Sequence, residues 1–136
     1  MTKQATAVFE VTGWDQTAYD ESGPGPLLSR ATVRKSFQGD LTGESTAQLL
    51  MCQADAANLA TGAGYVATER VSGQLAGRTG TFVLQHWGRS IGPTRETGGF
   101  VVPGSGTGDL VGLIGEVEIA VGPDGSHSIT LRYDFS

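Results

Sequence analysis

The chain has 136 residues, 14 acidic and 9 basic, for a formal charge of −5, with 21 glycines and one cysteine. That length buries a core as one domain spanning 1–136 without staples; Cys52 has no internal disulfide partner, and His86 and His127 offer no metal-ligand spacing, so no metal or cofactor is expected. An acidic chain with no Lys/Arg cluster repels phosphate backbones, and neither an apolar leader nor a membrane-length stretch is seen. The expectation is a cytoplasmic protein with no nucleic-acid and no membrane partner.

The elements read as short apolar/polar alternations bounded by Gly, Pro, Asp or Ser. The first spans 4–12, and Pro24, Gly25 and Pro26 mark a long loop after Trp14-Asp15-Gln16, at a barrel mouth. The second spans 28–38. The third, 44–53, lies in a stretch rich in helix formers, yet Ala47, Leu49 and Met51 alternate with Thr46 and Gln48, so it reads as a strand. The remainder through Gly62 is a loop or one helical turn. Strands follow at 64–75, 79–88, 95–102, 113–121 and 126–135. Scattered glycines without a period mark turns. Eight strands suffice to close a small antiparallel barrel, which removes exposed sheet edges.

Strand alternation sorts the chemistry by face. Tyr65, Ala67, Glu69 and Val71 share one face of the fourth strand, and Phe82, Leu84 and His86 one face of the fifth. A four-residue connection, Ala76 to Thr79, sets Val71 opposite Leu84 and Glu69 opposite His86. Ile129, Leu131, Tyr133 and Phe135 form the matching face of the last strand. With these faces inward, Glu69 and His86 are neighbours in the lumen, with Tyr65 and Tyr133 near them. A buried carboxylate–imidazole pair is an acid–base device whose titrations are coupled. It is equally a way to satisfy two polar groups inside a core.

Other motifs carry less. Gly88-Arg89-Ser90-Ile91-Gly92 matches a hydrolase nucleophile elbow in letters, but Pro93 and Thr94 follow where a helix is needed. Gly104-Ser105-Gly106-Thr107-Gly108 lacks the lysine and the helix of a phosphate loop, and its glycines suit a tight turn. Trp14 and Trp87 are placed to clamp a ligand at a mouth or a neighbouring subunit, or simply to pack. Arg70 and Arg78 read as surface charges.

The Glu69-Arg70-Val71 and Phe82-Val83-Leu84-Gln85-His86 strands resemble those of the DUF3224 family. So do the Gly104 to Gly108 loop, Phe9, Trp14, Phe37-Gln38-Gly39-Asp40, Gly43-Glu44 and the closing Leu131-Arg132-Tyr133-Asp134-Phe135. The resemblance runs nearly end to end and implies an all-β, eight-stranded antiparallel closed β-barrel of allene oxide cyclase-like type, associating as a homo-oligomer, dimer or trimer. It transfers no catalytic residue, and fold analogy is not a mechanism. Ala67-Thr68 and Trp87-Gly88-Arg89-Ser90 depart from the family's pattern at what would be a cavity wall or mouth.

The reading is a barrel that binds an apolar or amphipathic small molecule, as a cofactor-free isomerase or cyclase if it is an enzyme. Glu69 and His86 would handle the proton, and Tyr65, Tyr133, Trp14, Phe82, Leu84 and Met51 would line the ligand. The alternatives are a non-catalytic carrier or sensor, or a filled barrel acting through its oligomer surface.

Overall fold

The computed structural model describes residues 2–21, 25–55 and 61–136. Eight strands follow one another around a closed antiparallel barrel: β1 (Lys3–Asp20), β2 (Leu27–Gly39), β3 (Leu41–Gln53), β4 (Ala63–Leu75), β5 (Arg78–Ile91), β6 (Thr94–Val101), β7 (Leu113–Val121) and β8 (His127–Phe135). β1 closes the ring on β8 from Lys3↔Tyr133 to Phe9↔His127. A 3-10 turn, Gly108–Leu110, precedes β7. No helix among the described residues is long and apolar enough to cross a membrane.

β1 outruns its expected end at residue 12: Trp14-Asp15-Gln16 lies within the strand, paired to Val33, Thr32 and Ala31, and the pairing runs on to Asp20 where a loop is expected. Bulges between Val11 and Gly13 and between Ala18 and Asp20 bend this long strand to follow the barrel wall. The third element is a strand despite its helix-forming residues, because both its edges are paired, with β2 and with β4. Of the segments expected to be loop or turn, Pro24 and residues 56–60 lie outside the described residues.

The β4–β5 connection is two residues long, not four. Ala76 and Gly77 have φ of 50° and 85°, the left-handed pair that a tight hairpin turn requires, and Leu75 faces Arg78. Register therefore differs from expectation by two residues: Glu69 faces Leu84, Val71 faces Phe82 and His86 faces Ala67. An even displacement keeps every side chain on its face, so Glu69 and His86 stay inside as diagonal neighbours.

The lumen is filled unevenly. In the half that holds the β2–β3 and β4–β5 turns, Phe37, Leu41, Val71, Leu75, Phe82, Leu84, Leu113 and Tyr133 pack into one cluster, and Leu110 from the 3-10 turn is fully buried in it. In the other half the inward positions of β2, β3 and β4 carry Ala31, Val33, Ala47, Leu49 and Ala67, with Met51 and Tyr65 packed on them. Such small side chains do not span a barrel, and a cavity of about 520 Å³ opens there. The wall is thinnest between β6 and β7, which pair only at Phe100↔Glu116 and Val101↔Gly115. Above that, Thr97 Oγ1 donates to Ile119 O at 2.7 Å and accepts from Ile119 N at 3.2 Å, standing in for the missing ladder.

Candidate functional site

Four strands contribute to a polar network at the floor of this cavity, three of them one side chain each and β4 two. Glu69, on β4, is completely buried and accepts from three donors. Lys35 Nζ (β2) lies 3.0 Å and His86 Nε2 (β5) 2.7 Å from its Oε1, and Ser45 Oγ (β3) donates to Oε2 at 2.6 Å. On the far side of the imidazole, Nδ1 is 3.0 Å from the Tyr65 hydroxyl. No buried side-chain polar atom among the described residues lacks a partner.

Burial acts most strongly on Glu69 and by itself would raise its pKa. The hydrogen bond from His86, the Lys35 charge and the Ser45 hydroxyl, with the His86 charge behind them, outweigh it and hold the carboxyl at about 2. Glu69 is therefore an anion, able only to accept. It follows that His86 Nε2 carries a hydrogen; whenever the imidazole is in its neutral form, the lone pair is then at Nδ1 and the Tyr65 hydroxyl donates to it. Burial, then the Glu69 charge, push the Tyr65 phenol up to about 12, so it is protonated at neutral pH. Phenol, imidazole and carboxylate thus form a polarised chain along which a proton can move from Tyr65 to His86, with Glu69 stabilising the imidazolium.

Local structure fixes this order. Tyr65 packs edge-on against His86, with ring centroids 5.5 Å apart. Its ring lies over Gly88 of β5, where an added Cβ would come 2.5 Å from Tyr65 Cε1. Only glycine lets the phenol approach the imidazole. Lys35 is steadied by Phe9, whose ring centroid is 4.7 Å from Nζ.

Tyr65, His86, Lys35, Met51 and Trp14 line the cavity together with Phe9, Val33, Leu49 and Ile119. Trp14 stands half-exposed at the rim, its indole N–H donating to Gln16. Arg89, Arg95, Glu96 and His127 complete that rim. Three expected ligand contacts lie elsewhere: Phe82, Leu84 and Tyr133 belong to the filled half, where Tyr133 meets Phe135 edge-on. Glu69, with no exposed surface, sits behind His86 and positions it rather than touching a ligand. Sequence reasoning missed Lys35 and Ser45. Lys35 interrupts the inward series Ala31, Val33, Phe37, and a cation on an otherwise apolar period-two face was the available signal.

The glycine motifs behave as turns and struts. Gly88 to Ile91 is strand, and Gly92 begins a two-residue turn into β6, so Ser90 has no helix behind it. Gly104 and Gly108 take positive φ. Their loop completes the edge of β5, with Thr107 N donating to Thr81 O at 2.8 Å and Val83 N donating to Ser105 Oγ at 3.0 Å.

Residues 5–133 match the family described as a protein of unknown function, DUF3224. The chain belongs to the DUF3224 family. A crystal structure of a protein with unknown function from the same family, from Shewanella oneidensis MR-1, is 34% identical, covers 100% of this chain and 99% of that one, and superposes with a TM-score of 0.85. Among curated proteins nothing matches.

Proposed function

We propose that this DUF3224 barrel binds an apolar or amphipathic small molecule in the open half of its lumen and moves a proton on it, as a cofactor-free isomerase or cyclase. The observation that carries the reading is position. The Glu69–His86–Tyr65 chain floors a 520 Å³ cavity with an apolar wall, a volume within the range of small-molecule sites. A purely structural network would be expected inside the filled half, where it would face no open space. Tyr65 and His86 are the reacting pair, with Glu69 fixing the tautomer of His86. Kinship with allene oxide cyclase-like barrels accords with this closed fold and with catalysis by holding an apolar substrate folded. A cytoplasmic setting accords with the one free cysteine, Cys52.

A carrier or sensor would use the same cavity without conversion. An assembly role is favoured by a separate observation: Leu50, Val66, Trp87 and Phe100 are exposed on the outer faces of adjacent strands β3 to β6, as a homodimer or trimer contact would need.

Native against denaturing mass spectrometry of freshly purified protein tests for a retained molecule, and Val33→Phe, which places bulk in the cavity, should abolish retention while the circular dichroism of the barrel persists. With a ligand in hand, His86→Phe and Tyr65→Phe should bind it and lose turnover. Retention untouched by Val33→Phe would remove the lumen as the site. Full turnover in both polar variants would remove the proton-transfer role, and retention with no turnover in the wild type would leave a carrier.

A further inference from the structure

Resting on the lumen-binding reading, we propose that the ligand is an apolar monoanion, its charged oxygen seated on Lys35, and that it binds with uptake of one proton at His86. Charge around the cavity motivates the first part. The protein is acidic overall, with a formal charge of −5, yet the cavity lining holds Lys35, Arg89 and Arg95 against one carboxylate, Glu96. Glu96 is taken by Arg89 at 2.6 Å, and Arg95 enters no ion pair among the described residues. At the floor, an ammonium has three donors. Glu69 takes one from Lys35 and the Phe9 ring faces Nζ at 4.7 Å, which leaves a donor to spare on a side chain that lines the lumen. Lys35 is almost wholly buried, so an oxygen placed there exchanges little competing water for a charge-assisted hydrogen bond.

The proton follows from the same inventory. Lys35 and Glu69 cancel, so beside an imidazole in its neutral form an anion entering this space leaves a net negative charge out of water. The groups facing His86 are Glu69 and Tyr65 from β4, with Lys35 reaching the same carboxylate oxygen from β2; Gly99 of β6 adds no charge, and Arg89, Arg95, Glu96 and His127 stand in the rest of the lining. His86, hydrogen-bonded to the Glu69 carboxylate at the floor, can restore neutrality there by gaining a proton from solvent. Once Nδ1 carries hydrogen it donates to the Tyr65 oxygen, and the phenolic hydrogen turns into the cavity to meet the anion. Anion, Lys35 and Tyr65 then satisfy one another. A ligand that arrives neutral gives His86 no reason to change.

The test is calorimetric titration of the full chain with 2-naphthoate, 2-naphthamide and 2-naphthylmethylammonium, three probes of one apolar body and different charge. The expected result is naphthoate binding roughly tenfold or more tighter than the amide, with the ammonium weakest. Repeating naphthoate in phosphate and in Tris, whose ionisation heats differ, should show about one proton taken up per ligand, and none in His86→Gln. Lys35→Met should abolish the preference for naphthoate, and Lys35→Met combined with Glu69→Gln, which removes both charges, serves if the single variant does not fold. Amide binding as tight as naphthoate, or no proton uptake in the wild type, overturns this inference alone. Failure of all three probes overturns the lumen-binding reading and this inference with it.

Discussion

Glu69→Gln isolates the charge of the network from its shape. The amide oxygen can still accept from Lys35 and His86, and the amide nitrogen can donate to Ser45 Oγ, so packing is preserved while the anion is lost. The stabilisation follows from the gap between the ordinary glutamate value of 4.5 and about 2 in the folded protein. At about 1.4 kcal/mol per factor of ten in proton affinity, that gap is worth about 3 kcal/mol at neutral pH. Glu69 is fully buried, so solvent screening does not reduce it. The same magnitude follows from leaving Lys35 buried without its counter-charge. Because the folded pKa is depressed, the contribution is complete above pH 4.5 and disappears as pH falls through about 2. Urea unfolding of wild type and Glu69→Gln across this window should show a difference of about 3 kcal/mol at neutral pH, roughly 10 °C in melting temperature, narrowing steadily under acid. A neutral-pH difference below about 1 kcal/mol, or one that stays constant into acid, would refute the assignment of Glu69 as the network's fixed anion.

Gly88→Ala should push the Tyr65 ring off His86, since the new Cβ would sit 2.5 Å from it. The imidazole nitrogen shifts of His86 should then match those of Tyr65→Phe, and wild-type shifts would mean the ring is accommodated without loss of the bond. Thr97→Val removes the donor and acceptor that hold Ile119, and should cost about 1–3 kcal/mol in denaturant unfolding; a neutral result would show that the β6–β7 seam rearranges freely. Trp87→Glu, on the outer face, should lower the sedimenting mass to a monomer with the fold intact if the apolar stripe is a subunit contact. An unchanged mass would place any assembly elsewhere on the surface.

Much of this barrel was written in alternation. Period two put Glu69, His86 and Tyr65 on inward faces, and that assignment survived a two-residue register error because an even displacement conserves the face. What the letters left open were quantities set across the barrel rather than along it. Ala76-Gly77 makes a two-residue turn through backbone torsions that local sequence only suggests. Phe82, Leu84 and Tyr133 look equivalent to Leu49 and Met51 on their strands, but strand stagger places the first three in the filled half and the others beside the cavity. Lys35 and Ser45 become partners of Glu69 because β2, β3 and β4 are adjacent, bringing residues 34 and 24 positions away in the chain within hydrogen-bond reach. Sequence by itself determined which side chains face inward, since that depends on a local periodicity. Only closure of the sheet decided which of them meet and where space remains, because pairing register and the packing of small against large residues across the lumen are properties of the whole ring.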